Sequence, residues 1–269
     1  MIERIASPRG VVCGLALDHR DSLRVAARRH AYPDDTTSLR ALKVELVRGL
    51  ARLATVVLLD VELGLDAFTE LDGTPLVVPL EAQGYESLGE GRITTLLGDV
   101  DPKRAAALGA VGCKLLLPYR PDLTEVAGRQ EEMVARVVAD CRAADVLSII
   151  EPIVYGEVPE LGAAVTETAR RLARLGPDVL KLQYPGSAQL CEMLTRVCGA
   201  VPWVLLGGGT DEETFLTQLR EAMNGGARGY IVGRTAWDAA LAVDDGEQRR
   251  AVAERAAFLA RAVQVAESA

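Results

Sequence analysis

The sequence predicts an α/β protein folded as a single (β/α)8 TIM barrel. Three observations carry this. Eight short runs rich in Val, Ile and Leu recur along the 269 residues, helical patterns separate most of them, and polar residues and glycines mark the ends of the runs. Near-continuous apolarity is what parallel strands covered on both faces require. A chain of this length is ordinary for one such barrel, so a single domain spanning 1–269 accounts for it. A doubly wound open sheet is the alternative. It fits less well, because its phosphate-type glycine turn follows the first strand, whereas here the glycine turn comes late.

The strand candidates, in order, are VVCGLALD (11–18), TVVLLDVE (55–62), PLVVPLEA (75–82), GCKLLLPY (112–119), VLSIIEPI (146–153), VLKLQYP (179–185), PWVLLGGG (202–209) and RGYIVGR (228–234). The first long helix is expected over 36–53, where Leu39, Leu42, Leu46, Leu50 and Leu53 step by three or four into one stripe, with Thr36, Thr37 and Ser38 as N-cap candidates. A second follows Thr124, with Met133, Val134, Val137, Val138 and Cys141 inward. A third starts near Glu160 and stops at Gly176-Pro177. A fourth opens on Asp211, Glu212 and Glu213, acids suited to the positive end of a helix dipole, and closes at 224–226. The last spans about 246–265. The link 64–74 has room for only a short helix, and the glycine-rich 83–100 reads as a loop or an inserted hairpin.

Composition narrows the function. The net charge of −8 argues against nucleic acid as a partner. No apolar run approaches the ~20 residues of a membrane span. Five cysteines, an odd number without a C-x-x-C pair, read as reduced thiols of a cytoplasmic protein. With only His19 and His30, and no H-x-H or H-E-x-x-H, a zinc site with histidine ligands is not expected. Asp60, Glu62 and Glu81 offer the carboxylates a Mg²⁺ site would need. No G-x-S-x-G elbow is present for a serine triad.

In this fold active sites lie at the C-terminal ends of the strands. Those ends carry Asp18-His19-Arg20, Asp60 and Glu62, Glu81, Lys114 and Arg120, Glu151, Lys181 and Gln183, Gly207-Gly208-Gly209-Thr210, and Gly233-Arg234. Side chains alternate along a strand, so Leu180 and Leu182 face the helices while Lys181 and Gln183 face the interior. By the same rule Glu151 points inward with Ile149. A lysine buried there, close to an acid and other cations, suits a nucleophilic amine whose pKa is lowered by desolvation and neighbouring charge. Lys114 reads equally as a counter-ion to Glu151 or Asp18, and Arg120 as a solvated loop residue. Loops after strands seven and eight of such barrels bind phosphate through backbone N–H groups, which Gly208, Gly209 and Gly233 would allow and Arg234 would reinforce.

The segments LALDHR, CKLLLPYR, SIIEP, VLKLQYP, PWVLLGGGTDEETF and GYIVGRTAW, in this order, resemble the class I aldolases of the tagatose-1,6-bisphosphate aldolase type, most closely the sulfofructose-1-phosphate aldolase branch. The resemblance spans roughly residues 11–240. It implies Lys181 as Schiff-base lysine, Glu151 as proton shuttle, and Lys114 and Asp18 as assistants. It implies that Gly208, Gly209, Gly233 and Arg234 hold the substrate phosphate, and that Arg20 and Arg120 meet the far anionic end. His19 stands where that branch carries glutamine, and Gly208 where it carries serine, which points to a different natural sugar. The expected activity is reversible cleavage of a ketose 1-phosphate to dihydroxyacetone phosphate and an anionic aldehyde, without metal or organic cofactor, in a homo-oligomer. The alternatives are another Schiff-base carbonyl-lyase or transaldolase, and a catalytically reduced barrel that senses a sugar phosphate.

Overall fold

A computed structural model of the chain describes residues 1–242 and 244–268. The strands are β1 (Val12–Ala16), β2 (Val56–Leu58), β3 (Leu76–Pro79), β4 (Glu86–Leu88), β5 (Gly91–Ile93), β6 (Gly112–Tyr119), β7 (Leu147–Val154), β8 (Val179–Leu182), β9 (Trp203–Leu206) and β10 (Gly229–Val232). All but β4 and β5 form a closed parallel barrel in the order β1-β10-β9-β8-β7-β6-β3-β2. β4 and β5 make an antiparallel hairpin inserted after β3. Each expected run therefore contributes one barrel strand, and the glycine-rich segment is a hairpin.

The helices are α1 (Asp21–Arg29), α2 (Thr36–Leu50), α3 (Pro102–Ala107), α4 (Thr124–Ala143), α5 (Leu161–Ala173), α6 (Ala188–Cys198), α7 (Glu212–Asn224), α8 (Arg234–Trp237) and α9 (Asp245–Glu267). The link after β2 holds only a 3₁₀ turn, Leu65–Glu70. α2 starts at Thr36, as expected, but its cap lies one residue before the candidates. Asp35 is its N-cap, and its carboxylate accepts from the Ser38 N–H at 3.1 Å. Asp211 caps α7 in the same way, accepting from the Thr214 N–H at 3.0 Å. Each such bond satisfies one donor the helix cannot satisfy itself.

Alternation along the strands builds two apolar layers. Leu15, Val57, Val78, Leu115, Ile150 and Leu205 face outward and pack with the inner stripes of the helices. Val12, Leu58, Val77, Ile149, Val179, Val204 and Ile231 face inward, and Ile5 from the N-terminal turn plugs the floor beneath them. Burying one such aliphatic side chain stabilises the fold by roughly 1.5–3 kcal/mol. All five cysteines are buried free thiols within the outer layer. β1 and β10 close the barrel in the register Val12↔Gly229. Gly229 has φ +127°, and any side chain there would fall on the Val12 backbone. Among the described residues no helix is long and apolar enough to cross a membrane.

Candidate active site

Above the apolar inner layer the same alternation places charge. Asp18 lies two residues beyond Ala16 of β1, Glu81 two beyond Pro79 of β3, Lys114 two beyond Gly112 of β6, Glu151 two beyond Ile149 of β7, and Lys181 two beyond Val179 of β8. These five are 3–7% exposed, so they form a charged layer inside the barrel and not a solvated rim. With His19, Arg20 and Tyr85 they line a cavity of about 300 Å³.

Lys181 Nζ lies 2.9 Å from Glu151 Oε1. Lys114 Nζ lies 2.7 Å from Asp18 Oδ2, is hydrogen-bonded to Glu81, and stands 3.8 Å from Glu151 Oε2. Burial works against its charge, but the carboxylates of Asp18, Glu81 and Glu151 overrule it and raise the Lys114 pKa. Burial likewise pushes Asp18 upward, yet Lys114, His19 and Lys181 hold it well below the usual carboxylate range. For Glu81 burial wins over Lys114, and its pKa is raised. Glu151 Oε2 is buried without a hydrogen-bond partner among the described residues, which leaves an acceptor on a residue that lines the cavity.

His19 sits between this layer and the glycine turns. Its ring meets Trp237 edge-on at 5.0 Å, its Nδ1 is 3.8 Å from Asp18 Oδ1, and a side-chain carbon at Gly233 would lie 2.6 Å from its Cε1. Burial depresses its pKa to about 3 against the pull of Asp18, so the imidazole is neutral. Beyond it, Gly208 and Gly209 have φ of +64° and +76°. Arg234 donates to the Gly208 carbonyl at 3.2 Å and covers Gly209 closely: a Cβ there would lie 2.9 Å from the guanidinium carbon. The glycines thus turn the backbone and admit an arginine at the same spot.

Other expected residues are placed differently. Gln183 does not project into the cavity; it accepts the Val154 N–H at 2.6 Å and ties β8 to the end of β7. Arg20 is buried and donates to the Glu81 carbonyl at 2.8 Å. Arg120 forms a two-pronged pair with Asp122 at 2.8 and 2.7 Å. Asp60, Glu62 and Glu81 do not converge. Asp60 is engaged by the buried Lys43 of α2 and accepts from the Leu63 N–H at 2.7 Å, while Glu62 pairs with Arg24 at 3.3 Å. No cluster of three metal-ligating side chains occurs among the described residues.

Two buried charged residues, one in the site and one beside it, carry a weak sequence signal. Glu81 holds Lys114 and also accepts the Leu116 N–H at 3.1 Å. Lys43 lies in the α2 stripe with Leu39, Leu42, Leu46 and Leu50, and a lysine inside an apolar stripe was the available clue.

The family model of the DeoC/LacD aldolases matches residues 13–239, and the chain belongs to that family. It is therefore an aldolase, an enzyme of the lyase class. Among curated relatives, the tagatose 1,6-diphosphate aldolase of Staphylococcus aureus (strain bovine RF122 / ET3-1) is 27% identical over 277 residues, covering 90% of this chain and 85% of that one. The protein of the same name from Staphylococcus epidermidis is 28% identical over 284 residues, covering 92% and 87%. The barrel also resembles that of an archaeal fructose-1,6-bisphosphate aldolase solved with its catalytic lysine bound to a carbinolamine intermediate, with a TM-score of 0.70, 22% identity and coverage of 98% and 97%. A further Schiff-base-forming fructose-1,6-bisphosphate aldolase gives 0.72 and 23%, with coverage of 98% and 97%.

Proposed function

We propose that this aldolase reversibly cleaves a ketose 1-phosphate to dihydroxyacetone phosphate and an anionic aldehyde through a Schiff base on Lys181. The substrate is 6-deoxy-6-sulfofructose 1-phosphate or a related ketose 1,6-bisphosphate. Relatives named for tagatose 1,6-diphosphate support a ketose with anions at both ends. The observation that carries the reading is the buried Lys181–Glu151 contact of 2.9 Å, with the second Glu151 oxygen making no hydrogen bond among the described residues.

The Lys181 amine attacks the C2 carbonyl, and loss of water from the carbinolamine leaves an iminium. Glu151 takes the proton of the C4 hydroxyl as the C3–C4 bond breaks. The bonding pair moves into the iminium to give an enamine, and the aldehyde departs. Protonation at C3 restores the iminium, and water releases dihydroxyacetone phosphate and the free lysine. Lys114, kept charged by three carboxylates, stabilises negative charge on substrate oxygens without yielding its proton. Asp18 fixes Lys114 in place. The turns at Gly208, Gly209 and Gly233 with Arg234 hold the C1 phosphate and so orient C2 toward Lys181.

Borohydride reduction in the presence of dihydroxyacetone phosphate, followed by peptide mass mapping, tests this. The expected result is one reduced adduct on Lys181, absent in Lys181→Met, which keeps the wild-type circular dichroism and does not cleave. No adduct despite demonstrated phosphate binding would reduce Lys181 to a binding charge and favour a sugar-phosphate sensor.

A further inference from the structure

The hairpin after β3 has no part in bond cleavage, yet it is fastened over the barrel mouth at several points. The Arg92 N–H of β5 donates to the Tyr155 hydroxyl at 2.9 Å, and the Arg92 carbonyl accepts from Gln130 of α4 at 3.2 Å. Gly91 packs on Val126 so closely that no side chain fits between them. Tyr85, just before the hairpin, lines the catalytic cavity.

These fastenings hold one exposed cation, Arg92. The Arg92 guanidinium lies 4.9 Å from the centre of the Tyr155 ring, and that of Arg120 lies 5.8 Å from it. Arg120 is neutralised by Asp122, and Glu90 acts on it at longer range. No carboxylate lies within ion-pair distance of Arg92 among the described residues. Tyr155 follows β7, Arg120 follows β6 and the hairpin follows β3. In the closed strand order these three loops stand across the mouth from those after β9 and β10, where the glycine turns and Arg234 lie. Of the two arginines that sequence resemblance offers for the far anion, Arg120 is held by Asp122, and Arg20, at the cavity wall, is 3% exposed and donates to the Glu81 carbonyl.

We propose that Arg92, seated on Tyr155 and backed by Arg120, is the specificity-determining cation for the second oxyanion of the substrate, at the end remote from C1. This rests on the reading that the glycine turns hold the C1 phosphate. A guanidinium stacked on an aromatic face keeps its planar fork of donors presented to a phosphate or sulfonate.

The test uses polyols without a carbonyl, so it does not depend on the Schiff base. Titration calorimetry compares a hexitol 1-phosphate, a hexitol 1,6-bisphosphate and a 6-deoxy-6-sulfohexitol 1-phosphate. Wild type is expected to bind at least one of the two double anions roughly tenfold or more tightly than the monophosphate, a step of about 1.4 kcal/mol. Which of the two gains identifies phosphate or sulfonate as the partner. Arg92→Gln should erase that advantage while leaving monophosphate binding unchanged, and Arg92→Lys should restore part of it. Equal weakening of all three ligands in Arg92→Gln, an undiminished advantage, or no advantage in wild type would each overturn the proposal. A failure of the cleavage reading would appear separately, as the lack of an adduct on Lys181.

Discussion

Lys181 and Glu151 meet across neighbouring strands, Nζ to Oε1 at 2.9 Å, because the register Ile150↔Leu180 sets their β7 and β8 positions side by side. The same carboxylate faces Lys114 at 3.8 Å through its other oxygen. One group thus stands between the amine proposed to bond carbon and an ammonium whose pKa is raised by its carboxylate neighbours.

Replacing that carboxylate separates two steps. Glu151→Gln keeps the shape but accepts no proton, so kcat should fall by about 10²- to 10⁴-fold. Borohydride trapping on Lys181 should persist, at a reduced rate. Steady-state kinetics beside mass spectrometry checks both; loss of trapping together with turnover would mean that Glu151 serves the lysine and not the substrate.

Gly209→Ala addresses the turn proposed to hold the C1 phosphate. Its backbone is left-handed at φ +76°, a conformation that costs an alanine about 1–2 kcal/mol, and the new methyl would press on the Arg234 guanidinium. The expected outcome is a KM for the ketose phosphate raised roughly tenfold with kcat within about twofold, the pattern of lost uniform binding.

Lys43 and Asp60 form a buried ion pair, 1% and 2% exposed at their side chains, that joins α2 to the barrel rim beside Asp18. Lys43→Met leaves Asp60 charged and unpaired, and should cost roughly 3–5 kcal/mol in urea unfolding. Adding Asp60→Asn, which keeps an acceptor for the Leu63 N–H, should recover a large part of that loss. A double variant no more stable than the single one would mean the loss has another source.

His19 makes stability depend on pH in a defined direction. Folding lowers its pKa from 6.5 to about 3, so below pH 6.5 the unfolded chain binds more protons and the folded state loses stability. The slope from this one group is at most about 1.4 kcal/mol per pH unit. Asp18, held low, adds its own loss only as pH falls below about 3.8, while Glu81, held high, acts in the opposite sense. Urea midpoints of wild type and His19→Gln from pH 7 to 4 isolate the histidine: the variant should show the shallower decline.

Much of this was legible because barrel strands write both of their faces into one run. Parity put Lys181 and Glu151 inside and Leu180 and Ile150 outside, as found. Parity fails where a strand ends. Gln183 sits one residue past β8, and its amide turns to the β7 backbone instead of the cavity. Spacing also gives no partner choice. Arg120 has Asp122 two residues away, and it is the folded loop that brings this near neighbour onto its guanidinium. In the sequence Glu81 is a lone acid at the end of a run; its weight comes from Lys114, one barrel position away but 33 residues along the chain. The short helices α1, α3 and α6 were not expected individually, since their stripes span only two or three turns.

The seam at Val12↔Gly229 has a consequence for the chain as it is made. The first barrel strand finds one of its two neighbours only after roughly 200 further residues have been synthesised. On the ribosome, β1 can pair early with β2, but its other edge stays open until β10 emerges, with every backbone donor and acceptor on that side unclaimed. Barrel closure is thus a late, long-range event, and slow on the scale of helix formation. The interior Lys181 reaches its buried setting only then, so the nascent chain lacks the finished barrel interior until its final strand is in place.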